Sequence, residues 1–206
     1  MTKKLQKRVR RDRREEILQA ATLLFSQHGF RGTTIAQVSE AVGLTDPGVL
    51  HYFPTKVHLL QGVLEYREEK DYKRYSAIVN ITEKKDAAEL FSILENLSEE
   101  NEKVPGLIRL FTVLVSESIR EDHPSHDFFV KRYRRGRELY VEQFFSLLKG
   151  KDALSTNVDF TQLAALIMAV MDGLQIQWLL DPEKVDMVAA FKLFSNIVVN
   201  FLDQEN

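Results

Sequence analysis

Apolar residues recur at three- and four-residue spacing through most of the chain, and no stretch keeps the strict alternation of a strand. This pattern predicts an all-α fold of about nine helices. Glycines and prolines separate the helical stretches and set approximate bounds. The predicted helices are 10–28, 35–42, 47–53, 56–81, 86–100, 105–120, 126–148, 159–180 and 183–202.

The segment 33–56 predicts two short helices joined by a tight turn. Thr34 precedes the first helix, and a glutamine three residues later gives the spacing of a capping box. Gly43 can end this helix in the left-handed conformation, and Thr45 or Asp46 can cap the next. The arrangement is that of a helix-turn-helix unit, whose second helix enters the major groove of DNA. The segment therefore predicts a DNA-binding protein.

The second of these helices, 47–53, is short, so only a few of its side chains can meet DNA. Its predicted buried side is Val49, Leu50 and Phe53. Its predicted outward residues are Thr45, Asp46, Gly48, His51 and Tyr52. The threonine and tyrosine hydroxyls suit phosphates, the glycine allows close backbone approach, and the histidine can bond a base edge. Asp46 either caps the helix or accepts from a cytosine amino group, and capping is the stronger interpretation.

Positive charge is concentrated at the amino-terminal end. Residues 1–14 contain eight Lys/Arg against Asp12 alone, which predicts a flexible, solvated tail. Because the tail precedes a DNA-reading unit, we expect Arg10 and Arg11 to contact phosphates or the minor groove. Further phosphate contacts are predicted for the residues that begin neighbouring helices, namely Thr33 or Thr34 and Lys56.

The charge balance and composition place limits on the class of protein. Residues 1–60 carry a net charge of +5 and the remainder −7, as expected if one end contacts nucleic acid. The chain has no cysteine, which excludes disulfides and thiolate metal sites and fits the reducing cytoplasm. No apolar run of about 20 residues is evident, so no membrane segment is expected.

The amino-terminal pattern resembles the tetracycline-repressor (TetR) family over about residues 11–60. The residues in register are Leu18–Ala21, Phe25, Gly29, Thr33–Thr34, Ile35, Gly43, Leu44, Gly48, Leu50, Tyr52, Phe53, Lys56, Leu59 and Leu60. The segment Asp172–Leu174 with Gln177–Pro182 is similar to the helix-eight ending of many members. The resemblance implies a helix-turn-helix domain at 15–55, an effector-binding and dimerisation domain at 56–206, and repression relieved when a ligand moves helix four.

The last two predicted helices, 159–180 and 183–202, are apolar on more than one face. A helix of this kind needs two neighbours, and a second copy of the chain can supply one. We therefore expect a homodimer through a four-helix interface. The alternative is an unusually thick monomeric core.

The resemblance implies an effector pocket within helices four to eight. Candidate lining residues are Phe91, Phe111, Leu114, Tyr140, Phe144, Met168, Met171, Gln175 and Trp178. Taken singly, each is more simply explained as core filling. Few charges lie on the apolar faces, so the expected effector is small and largely apolar.

Other classes of function find less support in the sequence. It contains no phosphate-binding glycine loop, nucleophile elbow or zinc-protease motif, so neither an enzyme nor a cofactor is predicted. The cluster 121–127 holds two histidines and three acids, but it reads as a solvated turn with Ser125 capping the next helix rather than a metal site. The main prediction is a dimeric repressor on a pseudo-palindromic operator. The alternatives are a ligand-independent architectural DNA-binding protein and an activator.

Overall fold

The computed structural model describes residues 3–81, 86–147 and 158–204, with side chains described within 12–73, 86–143 and 158–203. These residues form nine α-helices and no strand, which confirms the all-α prediction. The helices are α1 (Lys3–Gly32), α2 (Ile35–Ala41), α3 (Asp46–Tyr52), α4 (Lys56–Ile81), α5 (Ala87–Glu102), α6 (Pro105–Glu117), α7 (His126–Leu147), α8 (Phe160–Leu180) and α9 (Met187–Gln204).

Helix α1 begins earlier than predicted. It starts at Lys3 rather than Arg10, so the basic segment predicted as a flexible tail is helical from Lys3 onward. The segment contains no glycine or proline and is rich in lysine and arginine, which are good helix formers. Near its other end, Gly29 leaves the helical conformation at φ 71° and ψ 169°, at the position where the sequence predicts the helix to close.

Helix α9 begins at Met187, later than the predicted start at residue 183. Residues 182–184 form a turn instead, and the Lys184 amide N–H donates to the Asp181 carbonyl oxygen over 3.2 Å. Asp186 then starts the helix, because its carboxylate accepts the Ala189 amide N–H at 2.8 Å. Proline tolerates the first turn of a helix, so Pro182 alone left the start ambiguous in the sequence. Helix α6 also stops at Glu117, short of the predicted residue 120.

The chain divides into two compact units. The first comprises residues 1–74 and 106–114, and the second residues 75–105 and 115–206. The division falls inside α4 and α6, whereas the sequence places a domain boundary at residue 56. The first part of α4 belongs with the amino-terminal helices because its apolar residues complete their core.

The first unit has a core of fully buried aliphatic and aromatic side chains from α1 to α4. They are Ile17, Leu18, Ala21, Phe25, Val38, Val49, Leu59, Leu60, Val63 and Leu64. Polar contacts also join α1 to α4. The Tyr66 hydroxyl donates to Glu15 Oε1 at 2.8 Å and accepts from Gln19 Nε2 at 3.0 Å.

The second unit contains a bundle in which α5 packs on α7 and α9, and α8 packs on α7 and α9. Its core includes Leu90, Phe91, Leu94, Tyr140, Phe160, Leu163, Ala164, Ile167, Phe191, Val198 and Leu202. Helices α7 and α8 approach closely at Gly136. A Cβ atom at this position would lie 2.7 Å from Met168 Cε, so a larger residue would require the Met168 side chain to move.

The second unit leaves apolar side chains exposed on α8 and α9. The most exposed are Leu166, Leu180, Leu193, Ile197 and Phe201. Among the described residues, α8 is long and apolar enough to cross a membrane by length and composition alone. The expectation that no run reaches this length is therefore wrong. The helix nevertheless carries a charged residue at mid-length, Asp172, and packs on two neighbours within its unit.

Candidate nucleic-acid interface

The α2–turn–α3 segment is held by the local bonds that its sequence predicts. Thr34 Oγ1 accepts the Gln37 amide N–H at 3.2 Å, while Gln37 Oε1 accepts the Thr34 amide N–H at 2.8 Å. This pair is a complete capping box. Gly43 adopts φ 63° after α2, and Thr45 Oγ1 accepts the Gly48 amide N–H at 3.3 Å to cap α3. Thr45, not Asp46, is thus the capping residue of α3.

The rotation of α3 about its axis decides which side chains face outward. Val49 is completely buried and Phe53 nearly so. Leu50 was predicted to share this buried side, and that prediction is wrong because 36% of it is exposed. Successive helical residues differ by about 100°, so Leu50 turns away from Val49 and lies one turn after Asp46. The exposed residues of α3 are Asp46, Pro47, Leu50 and His51, with Gly48 and Tyr52 half-buried.

The two threonines before α2 are in different environments. Thr33 is fully buried, and its hydroxyl lies 3.0 Å from the Gly29 carbonyl oxygen and 3.2 Å from that of Leu24. It therefore fixes the end of α1 and cannot reach DNA in this conformation. Thr34 is exposed. Of the alternatives Thr33 and Thr34, only Thr34 presents its hydroxyl at the surface.

Lys56, the first residue of α4, points back towards the turn between α1 and α2. Its Nζ donates to the carbonyl oxygens of Phe30 and Thr33, each at 3.0 Å, and lies 4.6 Å from the centre of the Phe30 ring. An ammonium group has three N–H donors, so at most one remains for a phosphate. The side chain thus joins the start of α4 to the segment that precedes α2.

The structure describes the side-chain contacts of some arginines of α1 but not of others. Arg10 and Arg11 lie in the helix, and their side chains are outside the described residues. The Arg14 guanidinium lies 5.1 Å from the centre of the Phe53 ring, at the end of α3. Arg13 pairs with Glu16 at 2.6 Å on an exposed surface. Arg14 is a cation beside α3 that the sequence analysis did not select, because only the fold brings it there.

The residues predicted for an effector pocket do not all belong to one unit. Phe91 and Tyr140 lie in the core of the second unit, and Met168 and Met171 pack against that core. Gln175 and Trp178 are half-buried on α8. Phe111 and Leu114, in contrast, are on the part of α6 that groups with the first unit, and the Phe144 side chain is outside the described residues.

The second unit also contains a half-buried polar pair that the sequence pattern does not predict. The Tyr133 hydroxyl on α7 donates to Asp172 Oδ2 on α8 at 2.6 Å. Burial raises the pKa of Asp172, although this hydrogen bond and the charge of Arg132 act in the opposite direction. Burial, followed by the bond to Asp172, also raises the pKa of Tyr133. Burial raises the pKa of the neighbouring Tyr140 to about 12. The two partners are 39 residues apart, too far for helical periodicity to pair them.

The histidine-containing segment after α6 is a hydrogen-bonded turn. His123 Nδ1 accepts the Ser125 amide N–H at 3.2 Å and lies 2.8 Å from Ser118 Oγ. The Ser125 hydroxyl has no hydrogen-bond partner, so the prediction that it caps α7 is wrong. Within the described ranges, no group of three or more His, Asp or Glu side chains is placed to hold a metal ion.

These features define a class of protein. A capped two-helix unit with an exposed second helix, on a helical body with an apolar surface, is typical of helix-turn-helix transcription regulators. Residues 17–63 match the model of the bacterial regulatory proteins of the tetR family, and residues 87–203 match that of the BetI-type transcriptional repressor C-terminal domain. The chain belongs to the TetR family of DNA-binding transcription regulators.

Individual relatives agree with this assignment. The chain is 31% identical over 166 residues to the nucleoid occlusion factor SlmA of Vibrio vulnificus, covering 79% of this chain and 81% of SlmA. The fold matches a putative regulator from Saccharomonospora viridis in complex with choline, at TM-score 0.73, 21% identity and 90% and 94% coverage of the two chains. It also matches the regulator FadR from Bacillus subtilis in complex with stearoyl-CoA, at TM-score 0.72, 16% identity and 91% and 96% coverage.

Proposed function

We propose that this regulator is a dimeric repressor that binds a pseudo-palindromic operator in the cytoplasm and is released by a small-molecule effector. The observation that carries the proposal is the outward face of α3. The Thr45 cap and the buried side chains of Val49 and Phe53 fix this helix, while four of its residues remain exposed and available to DNA. An exposed, rigid second helix is what major-groove recognition requires.

The proposed DNA contacts divide into base and phosphate contacts. His51 is assigned to a base edge, with Asp46 either accepting from a cytosine amino group or supporting the amino-terminal end of α3. The Gly48 backbone allows close approach, and the Thr45 and Tyr52 hydroxyls contact phosphates. Additional phosphate contacts are assigned to Thr34, to the remaining Lys56 donor, and to Arg10 and Arg11 of α1.

A second copy of the chain is the proposed partner of the exposed α8 and α9 residues. Leu166 and Leu180 on α8, and Leu193 and Ile197 on α9, are each more than half exposed in the single chain. Pairing the two helices with their copies would remove this apolar surface from water. The symmetry of such a dimer would place two α3 helices for two half-sites, as expected for a protein whose family binds operators as dimers.

The proposed effector is small and largely apolar, and it binds within the second unit. Phe91, Tyr140, Met168 and Met171 supply aromatic and thioether surface, and the Tyr133–Asp172 pair supplies polar groups. The choline and stearoyl-CoA complexes of the two structural neighbours support small-molecule binding in this fold. These two bound molecules differ in charge and size. Occupation of the site would shift α4 and separate the two reading heads.

The test is fluorescence anisotropy of the duplex upstream of the protein's own coding region, over a salt series, with random duplex as competitor. Binding that survives the competitor supports a sequence-specific regulator and provides the assay for effector release. Binding that the competitor removes, with a steep salt dependence, contradicts self-regulation at that site. Selection from a random duplex pool then decides whether any sequence is preferred.

A ligand-independent DNA-binding role is the second candidate, and it is supported by the similarity to nucleoid occlusion factors. A protein with this role would stay bound to its operator in the presence of any small molecule. Adding metabolite pools to the preformed complex distinguishes the two functions. Release by any fraction supports the effector-controlled repressor, whereas unchanged anisotropy across all fractions supports the second candidate.

A further inference from the structure

The side chains of α3 lack the usual hydrogen-bonding readers of purines. Its sequence is DPGVLHY, with no arginine, lysine, asparagine or glutamine. Arginine and lysine are the common bidentate partners of guanine, and asparagine and glutamine are those of adenine. Base reading by this helix therefore depends on other side chains, of which His51 is the only one on α3 already assigned as a hydrogen-bond donor to a base edge.

Leu50 offers one such contact because of where the fold places it. Val49 and Phe53 are buried and fix the rotation of α3, which leaves Leu50 36% exposed beside the exposed Asp46. Its neighbour one turn earlier on the same side, Asp46, is itself exposed. At about 100° per residue, Leu50 lies within about 100° of Asp46, Pro47 and His51, so its apolar surface belongs to the exposed side of α3.

Within the major groove, the C5-methyl group of thymine is the apolar feature that distinguishes one base pair from another. We propose that Leu50 is a specificity-determining residue that contacts a thymine methyl group in each half-site. The inference rests on the proposed function, because it requires α3 to enter the major groove. It also gives a role to the exposed third of Leu50, on a helix whose other aliphatic residue, Val49, is fully buried.

The experiment begins with an operator obtained by selection from a random duplex pool. Each thymine of one half-site is replaced in turn by deoxyuridine, which removes only the methyl group. We expect about fourfold weaker binding at one position per half-site, as for loss of one buried methyl group. Replacing the same thymine–adenine pair by 5-methylcytosine–guanine, which keeps the methyl group, should bind more tightly than the pair with unmethylated cytosine by a similar factor.

Protein variants identify the residue responsible. In Leu50→Ala, the deoxyuridine penalty at that position should fall to near onefold. In Leu23→Ala, which truncates a more exposed leucine on α1 of the same unit, the penalty should stay at about fourfold. A penalty that persists in Leu50→Ala, or an operator on which no deoxyuridine substitution matters, overturns the inference while leaving sequence-specific binding intact. A pool that yields no preferred sequence refutes the proposed function, and the inference with it.

Discussion

The Nζ atom of Lys56 lies 3.0 Å from the carbonyl oxygen of Thr33, so the first residue of α4 is bonded to the residue that precedes the α2 cap. The same ammonium also bonds the Phe30 carbonyl oxygen. Lysine at a helix start opposes the helix dipole. Here the carbonyl groups of the preceding turn offset that cost, and the side chain fixes the start of α4 against the DNA-reading unit.

Replacing Lys56 with methionine should lower the free energy of unfolding by about 1–3 kcal/mol, because two carbonyl groups lose a charged donor. Methionine retains an apolar stem that can cover the Phe30 ring. Urea denaturation at a fixed protomer concentration measures the change. Lys103→Met is the matched control, since Lys103 forms an exposed pair with Glu100 that contributes at most about 1 kcal/mol. Equal effects of the two variants would contradict a structural role for Lys56.

The same variant also tests the phosphate contact assigned to Lys56. If its third donor binds DNA, the slope of log affinity against log salt should become shallower by about one unit, and binding should weaken for all duplexes alike. If the salt slope of a folded Lys56→Met protein is unchanged, Lys56 does not contact a phosphate and its role is structural only.

Gly43→Ala should destabilise the first unit by about 1–2 kcal/mol. Gly43 has φ 63°, and no atom lies within 4 Å of a Cβ added there, so the cost comes from the left-handed backbone alone. Gly32→Ala is the control, because its Cβ would make only an ordinary contact at 3.5 Å and its φ is not in the left-handed region. Urea denaturation measures the free energy of unfolding of both variants. Equal losses would contradict the view that the left-handed backbone at Gly43 causes the cost.

The parts of the fold that sequence predicts well are those fixed by local bonds. The Thr34–Gln37 capping box and the Gly43 turn involve partners within a few residues, so their spacing is visible in the chain. The exposure of Leu50 depends on how Val49 packs into the core, and a seven-residue helix has too few apolar positions to define its rotation. Lys56 meets a carbonyl 23 residues away. The spacing of apolar residues along the chain contains no information on partners so far apart in sequence.

Asp172→Asn should make stability less dependent on pH. The folded state raises the pKa of Asp172, so the folded protein binds this proton more tightly than the unfolded chain. The free energy of unfolding therefore falls as pH rises from the ordinary carboxyl pKa through the raised value. The amide has no such titration and can still accept from Tyr133. Relative to wild type, the variant should gain stability between acid and neutral pH.

Urea denaturation over that pH interval measures this gain. Asp203→Asn, which removes an exposed carboxylate from α9, controls for the change in net charge. If Asp172→Asn instead loses stability relative to wild type as pH rises, folding lowers the pKa of Asp172. Burial would then not be the dominant influence on that pKa.

Ile197→Glu should shift the protein from dimer to monomer in sedimentation velocity. Ile197 is 59% exposed on α9, in line with the exposed Leu193 one turn earlier, so a carboxylate there would be buried without a partner if the two copies pair through this face. Val130→Glu is the control, since Val130 is an exposed valine on α7, outside the proposed interface. A dimer retained by Ile197→Glu, or lost equally in both variants, would contradict the α8–α9 interface.

His51→Ala should reduce discrimination between the operator and random duplex more than it reduces binding to random duplex. The exposed imidazole lies on α3 with its ring centre 5.5 Å from that of Tyr52, in an edge-to-face arrangement. A base-edge contact contributes about 1–3 kcal/mol of discrimination, or roughly 5- to 150-fold, whereas a phosphate contact affects all sequences. Competition anisotropy with the two duplexes measures the ratio. Thr34→Ala is the comparison, because loss of a phosphate contact should weaken binding to both duplexes by a similar factor. If Thr34→Ala reduces discrimination and His51→Ala weakens binding to both duplexes equally, the two assigned roles are exchanged.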